Sequence, residues 1–366
     1  MSSAPAGPAS GVPAAPGEAR GPGQLADAIA ELVVDVEAVD VETGLAEVAG
    51  YYAGEPRPTG VVSLRGGGAV GRGECVAWTP DAQAEFAAGV EVLVPLGRTT
   101  IGGIESRLKR ASDDPYHRAA IEAAAIDLAL GQASTDPFDL AGRPPRPVAF
   151  CRSINETADP VEAVRGILEA DPGARVKIDC PEGGWDEATW ESLARTDRVA
   201  VVDLKRRGSP CRPVEAHRAM PRAWLEDPPR EAADRVDDPS TGDWSSRIAL
   251  DGYVERAVDL DHPPLPPAAV NVKAPRMGGW LEALRCLEAC RMKGWHAYVG
   301  GMFEVDVGRA QARVLASLFT ADAWNDLAPL GEPSATSPLE VETPREGFAR
   351  SAGTGDARTP TARRPR

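Results

Sequence analysis

From residue 147 onward the chain repeats one pattern, a short apolar run followed by a stretch with helix signals. Eight such runs occur, most at intervals of 20 to 28 residues: 148–151, 174–178, 199–203, 223–226, 248–251, 269–273, 296–300 and the weaker 323–327. Strands that alternate with helices form βαβ units and a parallel sheet. Eight repeats predict an α/β fold, a (β/α)8-type barrel of modified TIM form. The repeats span fewer residues than the ~250 of a typical barrel, so we expect short helices and no helix at all near 228–245.

The segment before the repeats has a different texture, and we predict an α+β domain for it. Apolar runs at 61–64 and 73–78 flank the glycine-rich stretch 65–71, which predicts a hairpin. That stretch lacks the Lys-Ser/Thr of a phosphate-binding loop, which argues against one. The Ala-rich stretch 117–131 ends at a glycine and predicts a helix.

The two ends of the chain have the composition of disordered tails. Residues 1–24 are rich in Ala, Pro, Gly and Ser and lack the basic start and apolar core of a secretory signal. Residues 332–366 are mostly of the same kind and end in a basic run. The predicted organisation is therefore a tail (1–24), an α+β domain (25–145), a barrel (146–331) and a second tail (332–366).

Composition excludes two classes of partner. The net charge of −15 argues against nucleic acid and anionic membrane surfaces, which require a basic face. No apolar run has transmembrane length. The six cysteines are scattered and form no C-x-x-C pair, as expected of free thiols in the cytoplasm.

Lysine is scarce, and its placement points to acid/base chemistry. Only five of the 40 basic residues are lysines, and Lys177, Lys205 and Lys273 all lie at or just beyond a predicted strand end. Arg stays protonated at any working pH, whereas Lys can lose its proton when it is buried or near other cations. These lysines are therefore candidate proton-transfer groups.

Five consecutive predicted strands end in an ionisable residue: Lys177, Asp203, Glu226, Asp251 and Lys273. Barrel active sites lie at the carboxyl ends of the strands. Three carboxylates on neighbouring strands are natural ligands for a hard divalent cation, Mg²⁺ or alternatively Mn²⁺. The two lysines fall on the second and sixth strands, on opposite sides of an eight-stranded barrel, and would flank a ligand on the metal.

This constellation suits removal of a proton next to a carboxylate. Such a carbon acid is very weak, so its deprotonation needs a base beside the carbon and a cation that stabilises the enediolate oxygens. A lysine whose pKa is lowered toward neutrality by the metal and a second ammonium could act as the base. Singly, a strand-end acid is more often a helix cap; five in strand order favour a site.

Several motifs resemble the enolase superfamily, in the branch of muconate cycloisomerases, o-succinylbenzoate synthases and N-acylamino-acid racemases. The most specific are Val-Asn-Val-Lys-Ala-Pro-Arg-Met-Gly-Gly at 270–279 and Val-Gly-Gly-Met-Phe-Glu-Val-Asp-Val-Gly-Arg at 299–309. Arg-Val-Lys at 175–177 resembles the K-x-K strand of that superfamily, and Trp-Leu-Glu-Asp-Pro-Pro at 224–229 resembles its metal-binding strand. The likeness covers roughly residues 55 to 331.

The resemblance implies specific roles. Asp203, Glu226 and Asp251 would bind Mg²⁺, and Lys177 and Lys273 would be the acid/base pair. The α+β domain would cap the barrel mouth, and its loops 65–71 and 77–83 would help to select a small carboxylate substrate. Relatives are commonly homo-oligomers, which is a further expectation. Additional candidates for the site are three residues in or beside these motifs: Lys205, Arg175 and Glu304.

Two departures from the family pattern change the charge of the site. Lys205 stands where the family has Asn in D-x-N, and Gly252 stands where it has Glu. Residues i and i+2 of a strand face the same way, so the Lys205 ammonium is expected near the metal site. It could pair with a carboxylate, contact an anionic substrate or replace the metal.

Several functions remain open from the sequence. The first is a lyase or isomerase: a racemase or epimerase that uses both lysines, or a dehydratase or cycloisomerase that needs one. The second is a degenerate barrel, non-catalytic or metal-independent, that only binds a small anionic ligand. Metal binding separates the two classes.

Overall fold

The computed structural model describes residues 19–46, 55–305, 307–327 and Phe348. In these ranges the strands form a two-stranded sheet, a three-stranded sheet and a seven-stranded sheet. The two small sheets belong to the N-terminal part of the chain and the seven-stranded sheet to the C-terminal part.

The N-terminal part mixes helices with antiparallel strands, as predicted. Its elements are α1 (Pro22–Ala30), β1 (Val33–Val36), β2 (Ala38–Ala46), β3 (Arg57–Gly66), β4 (Ala69–Cys75), α2 (Pro80–Leu93), β5 (Gly97–Thr100), α3 (Ile101–Ala111), α4 (Pro115–Ala133) and α5 (Pro137–Ala141). Strands β2, β3 and β4 pair antiparallel in that order, and β1 pairs with β5.

The predicted hairpin is confirmed, with a tighter turn than the glycine-rich stretch suggested. Gly66 pairs with Ala69, and only Gly67 and Gly68 form the turn, with φ of 56° and 77°. Positive φ at both central residues is what a two-residue hairpin requires, and glycine adopts it without strain. The Gly67 amide donates to Glu37 Oε1 at 3.0 Å, so the turn is held against the neighbouring strand connection.

Helix α4 is the predicted Ala-rich helix, extended by two residues at each end. The Asp114 side chain accepts from the Tyr116 amide and caps the helix, and Ser134 ends it in a left-handed conformation. Small side chains let β4 lie close to α4: a Cβ at Gly71 or Gly73 would overlap the helix backbone.

The C-terminal part alternates strands and helices. Its elements are β6 (Cys151–Ile154), α6 (Pro160–Ala170), β7 (Arg175–Asp179), α7 (Glu187–Thr196), β8 (Val199–Asp203), α8 (Arg212–Ala219), β9 (Trp224–Glu226), β10 (Ile248–Leu250), β11 (Ala269–Val272), α9 (Ala274–Met277), α10 (Trp280–Lys293), β12 (His296–Val299) and α11 (Val307–Phe319). Strands β6 to β12 are parallel and follow chain order.

The predicted strands coincide closely with these, except for the first. It was expected at 148–151, but β6 begins at Cys151, because its pairing with β7 sets Cys151 opposite Arg175. The expected loss of a helix near 228–245 is confirmed: the β9–β10 connection holds only 3₁₀ turns at Arg230–Arg235, Pro239–Thr241 and Trp244–Arg247. Trp244 is fully buried there and anchors the connection to the core.

The eighth predicted strand, 323–327, is reduced to two isolated bridges. Asn325 bridges Phe150, beside β6, and Asp326 bridges Gly300, beside β12. The Cys151 amide donates to the Asn325 carbonyl at 2.8 Å, and the Asp326 amide donates to the Val299 carbonyl at 2.9 Å. This two-residue segment thus bonds to both edges of the described seven-stranded sheet. A closed eight-stranded barrel stays a prediction.

The tail predictions need one correction. Helix α1 begins at Pro22, inside the predicted tail 1–24, because Leu25 and Ile29 of its apolar face are buried in the core. Residues 1–18 lie outside the described residues, as does the predicted tail 332–366 apart from Phe348. That residue is 1% exposed, and its ring centre lies 4.6 Å from that of Trp280.

Two further predictions can be compared with the described ranges. All six cysteines are free thiols. No helix within these ranges has both the length and the apolar character needed to cross a membrane.

Two buried side chains join the N-terminal part to the C-terminal part. The Arg57 guanidinium, 1% exposed, donates to the carbonyls of Val76 at 2.7 Å and Ala77 at 2.9 Å, and reaches Met302 O at 3.4 Å. Glu122 of α4 accepts from the Leu281 amide at 3.0 Å, at the start of α10. The α10 N-terminus lies only a few residues beyond Lys273.

We expect Glu122 to make stability fall as pH rises. Burial raises the pKa of this carboxyl to about 8, although the Leu281 amide opposes the shift. Between the usual value and about 8, the folded protein holds a proton that the unfolded chain has released, so the free energy of unfolding decreases with pH. The E122Q variant keeps the acceptor and should flatten this decrease, which is on the order of a few kcal/mol.

Urea denaturation at pH 5 and pH 8 measures this effect. The exposed E162Q on α6 is the matched control and should keep the wild-type dependence. An E122Q profile as steep as that of wild type would contradict the assignment.

Candidate active site

The structure brings together the five residues predicted at strand ends, but Lys177 does not end its strand, because β7 continues to Asp179. Asp203 and Glu226 close β8 and β9, Asp251 and Lys273 directly follow β10 and β11, and Lys177 lies in the middle of β7. All five are buried. One oxygen from each of the three acids lies within 4.8 Å of the others, which forms a buried acidic triad.

Each acid of the triad is paired with a basic side chain. Lys177 Nζ lies 3.1 Å from Asp203 Oδ2 and also contacts Glu226 Oε1. Asp251 accepts from Lys273 Nζ at 3.0 Å and from the Arg276 guanidinium. Buried charges of both signs therefore compensate one another, as burial in a medium of low polarity requires.

Glu226 has two further partners that sequence reasoning missed. Asn271 Nδ2 donates to Glu226 Oε2 at 3.1 Å, and the Tyr298 hydroxyl donates to the same oxygen. Asn271 lies two residues before Lys273 and faces the same side of the sheet, so strand alternation could have identified it. Tyr298 lies in β12, which ends in no ionisable residue that would have marked the strand as part of the site.

Asp326 connects the two candidate catalytic lysines. Its Oδ2 lies 3.0 Å from Lys177 Nζ and 3.9 Å from Lys273 Nζ, and its Oδ1 accepts from the Ser153 hydroxyl. Sequence reasoning marked the segment as a weak strand and did not single out this acid. Both amines therefore lie beside one carboxylate.

Lys205 reaches the site through Asp203. Its Nζ lies 2.6 Å from Asp203 Oδ2 and 3.0 Å from Asp179 Oδ1, and its amide donates to Asp203 Oδ1 at 3.0 Å. Lys205 and Arg206 have φ of 53° and 59°. The chain thus turns back immediately after β8, and the Lys205 ammonium lies beside the triad.

Asp227 binds the backbone at Asp251 and Gly252. The Asp227 carboxylate accepts from the amides of Asp251 and Gly252 at 2.7 and 2.8 Å, and Asp227 itself has φ of 47°. Burial raises the pKa of Asp227 to about 6, with the nearby acids adding to it. Asp227 holds the backbone of Asp251 and leaves the Asp251 side chain to the triad.

Glu304 lies at the wall of the same cavity. It is 3% exposed, and its Oε2 accepts from the Met302 amide at 2.8 Å. Its Oε1 has no hydrogen-bond partner among the described residues. Burial raises the pKa of this carboxyl, which favours the protonated acid as a hydrogen-bond donor.

Arg175, a candidate from the sequence, does not join the cluster. It begins β7, two residues before Lys177 and therefore roughly 6–7 Å nearer the amino end of the strand. Its guanidinium donates to the Asp197 carbonyl at 2.6 Å and lies over the Trp324 ring. These contacts hold its side chain away from the acidic triad.

A cavity beside Lys177 and Lys273 is lined by residues from several strand ends and from the segment after β12: Ser153, Asn155, Lys177, Asp179, Lys205, Lys273, Gly301, Phe303, Glu304, Arg309, Asp326 and Leu327. Of the two loops expected to select substrate, 77–83 approaches this wall, because Trp78 packs edge-on against Phe303 at 6.0 Å. The 65–71 turn is held by Glu37 and is not among the lining residues.

The electric field of the site keeps Lys177 charged. Burial lowers the pKa of Lys177, but the carboxylates of Asp326, Glu226 and Asp203 together raise it well above its usual range. The sequence-based expectation of a lowered pKa is therefore not met by the protein's own groups. A cation placed among the acids would oppose their field and favour the neutral amine.

The neighbouring cations lower the pKa values of Asp203 and Asp251. Burial alone would raise the pKa of Asp203 and of Asp251. The ammonium groups of Lys177 and Lys205 outweigh it at Asp203, and Lys273 with Arg276 outweighs it at Asp251, so both pKa values lie well below the usual range. Two members of the triad are thus carboxylates, the form that binds a metal.

The donor set fits a hard divalent cation. Three buried acidic side chains supply oxygen ligands within 4.8 Å of one another, and Mg²⁺ and Mn²⁺ both prefer oxygen donors. Burial raises the pKa of Glu226 well above its usual range, and a bound cation would favour its carboxylate form. The same three acids accept hydrogen bonds from Lys177, Lys205 and Lys273. A bound cation would therefore share the triad with the protein's own ammonium groups.

Solved structures of the enolase superfamily share this fold. A dipeptide epimerase from Enterococcus faecalis V583 aligns with a TM-score of 0.68 at 20% identity, over 84% of this chain and 95% of its own. An enolase-superfamily protein from Listeria innocua Clip11262 gives 0.69 at 18% identity, over 86% and 94%. Muconate lactonizing enzyme from Pseudomonas putida gives 0.65 at 17% identity, over 81% and 90%. The predicted resemblance is confirmed at the level of the fold.

One curated relative matches a short part of the sequence. An N-succinylamino acid racemase from an Amycolatopsis species is 39% identical over 74 residues, which is 20% of this chain and 18% of that protein. The match therefore spans under a fifth of the relative's length.

Family models match both parts of the chain. Residues 27–139 match the N-terminal domain, and residues 144–331 match the C-terminal domain, of the domain of unknown function DUF8230. The second match alone covers more than half of the sequence and contains the whole acidic triad. The chain therefore belongs to the DUF8230 family, and its fold is that of the enolase superfamily.

Proposed function

We propose that this protein is an isomerase that removes a proton α to a carboxylate, with the help of a divalent cation. The observation that carries the proposal is the position of Lys177 and Lys273, which both contact Asp326 beside the acidic triad. Two amines next to one cation site supply what a weak carbon acid needs, a base on either face and a charge that favours its anion.

Each group has a role in this proposal. Lys177 and Lys273 take the α-proton and return one, and Asp326 holds the two amines in place. A divalent cation held by Asp203, Glu226 and Asp251 would stabilise the negative charge that develops on the substrate carboxylate. Glu304 lines the same cavity, and in its protonated form it would donate a hydrogen bond to that carboxylate.

A racemase or epimerase is the outcome we favour. Both lysines are buried to a similar degree and both reach the same cavity, as a transfer between two faces of one carbon requires. Similarity to a dipeptide epimerase and to an N-succinylamino acid racemase supports an amino-acid derivative with a free carboxylate as substrate. A dehydratase or a cycloisomerase would need only one of the lysines.

A second candidate is a barrel without catalysis that binds a small anion. The Lys205 ammonium on Asp203 favours it, because that ammonium adds positive charge where a metal would bind. The two candidates differ in whether the α-proton of a carboxylate exchanges with solvent.

The test is α-proton exchange in D₂O, followed by ¹H NMR, on N-succinyl and N-acetyl amino acids and on dipeptides. With Mg²⁺ or Mn²⁺ present we expect exchange of at least one substrate. Chelation with EDTA should reduce the rate at least about a hundredfold, because stabilisation of the developing charge is a major part of such catalysis.

The outcomes separate the candidates. Ligand-induced thermal stabilisation without exchange of any substrate would favour the anion-binding barrel. Exchange that survives chelation would contradict the role of the cation.

Light scattering on the same samples measures the molar mass in solution and tests the expected homo-oligomer.

A further inference from the structure

Lys205 is the most exposed cation of the cluster. Its side chain is 39% exposed, against 4% for Lys177 and 8% for Lys273. It lines the cavity, and its ammonium contacts two carboxylates on adjacent strands, Asp203 and Asp179, which are paired in register. Its partly exposed side chain can therefore change position, and Asp179 gives it an ion-pair partner outside the triad.

Both carboxylate oxygens of Asp203 contact Lys205, and Oδ2 also lies 3.1 Å from Lys177 Nζ. Asp203 Oδ1 accepts from the Lys205 amide at 3.0 Å, and Oδ2 lies 2.6 Å from the Lys205 ammonium. A divalent cation that binds Asp203 Oδ2 would meet that ammonium at short range, and two like charges a few ångströms apart repel strongly when water is scarce. The cation and the Lys205 ammonium therefore compete for Asp203 Oδ2.

The backbone around Lys205 is held, so any adjustment falls to the side chain. The Arg206 amide donates to the Asp227 carbonyl at 2.7 Å, and the Arg207 amide donates to the Leu204 carbonyl at 3.1 Å. Asp179, whose side chain is 14% exposed, lies on the side of Lys205 away from Glu226 and Asp251. It offers the ammonium a partner outside the triad.

We propose that Lys205 is an internal counter-cation of the metal site, which gives up its contact with Asp203 and keeps its contact with Asp179 when a divalent cation binds. This rests on the proposed function, since it assumes that the triad holds such a cation. Lys205 thereby sets the affinity of the site: it stabilises the triad without metal and competes with the metal for Asp203.

The test is calorimetric titration of Mn²⁺ and Mg²⁺ into the full-length, chelator-treated protein. K205M should bind at least about tenfold more tightly than wild type, because a unit positive charge beside the site is removed. D179N should bind more weakly by a similar factor, because Lys205 loses its alternative partner. In the double variant K205M/D179N, the effect of D179N should largely disappear, since the residue through which it acts is gone.

A control variant on α10 shows whether the effect is specific to Lys205. K293M removes a lysine on α10 that pairs with Asp261, and it should bind metal as wild type does. Thermal melts confirm that each variant is folded. Unchanged or weaker binding by K205M, or a D179N effect that persists in the double variant, overturns the role of Lys205 while the metal site stands. Absence of binding in wild type and in K205M alike overturns both proposals.

Discussion

In D₂O, the K177R variant is expected to lose α-proton exchange with one antipode of the substrate by about a thousandfold or more. With the other antipode it should exchange within about tenfold of the wild-type rate. K273R should show the opposite preference. General acid–base groups contribute about 10²–10⁴-fold, which sets the size of the loss.

Arginine is chosen because it keeps the charge and removes the chemistry. Lys177 is paired with Asp203, Glu226 and Asp326, so a neutral replacement would leave buried carboxylates without a partner and destabilise the fold by about 3–5 kcal/mol. Arg preserves the positive charge but does not deprotonate at any working pH. A loss in K177R therefore reports the missing base.

The antipodes give the assignment. If each lysine serves one face of the α-carbon, each variant still exchanges the antipode that the remaining lysine serves. Equal loss with both antipodes in both variants would contradict a two-base racemase and favour a dehydratase or cycloisomerase. K293R, a charge-conserving change on the surface of α10, should leave exchange unaltered.

The E226Q variant is expected to lose divalent-cation affinity by about a hundredfold or more. Glu226 is fully buried in the middle strand of the triad, and glutamine replaces it with equal size and no charge. Removing one of three carboxylates weakens a site that depends on charged oxygen ligands. Calorimetric titration with Mn²⁺ measures the change.

The remaining contacts make E226Q a moderate change for the fold. Lys177 keeps Asp203 and Asp326 as partners, and the Asn271 and Tyr298 groups still meet a polar side chain. The exposed E191Q on α7 is the matched control. Wild-type affinity in a folded E226Q would show that the cation binds elsewhere.

The part of the site that lies at strand ends could be predicted from the sequence. Asp203, Glu226, Asp251 and Lys273 each end or directly follow a strand, and parallel strands bring such positions to one edge, whereas Lys177 lies within β7. The periodicity of the runs sufficed for this, because burial of a parallel strand leaves a continuous apolar signal. Glu304 and Lys205 also reach the cavity.

The groups that the sequence did not reveal have no such signal. Asp326 lies in a segment with two bridged residues and therefore almost no strand pattern. Tyr298 was hidden within an apolar run, where an aromatic residue is expected for packing alone. Arg175 was a candidate because it belongs to the same short motif as Lys177. It begins β7, so its side chain lies nearer the amino end of the strand than Lys177 and does not reach the acidic triad.

Asn325 and Asp326 form the joint between β6 and β12, and Asp326 also lies between the two amines. The backbone of this joint and the alignment of the two amines therefore depend on the same two residues. A brief local opening there would move Asp326 away from the two amines while the other strand pairs stayed intact. Under the proposed function, proton transfer would then depend on local opening at this joint as well as on global stability.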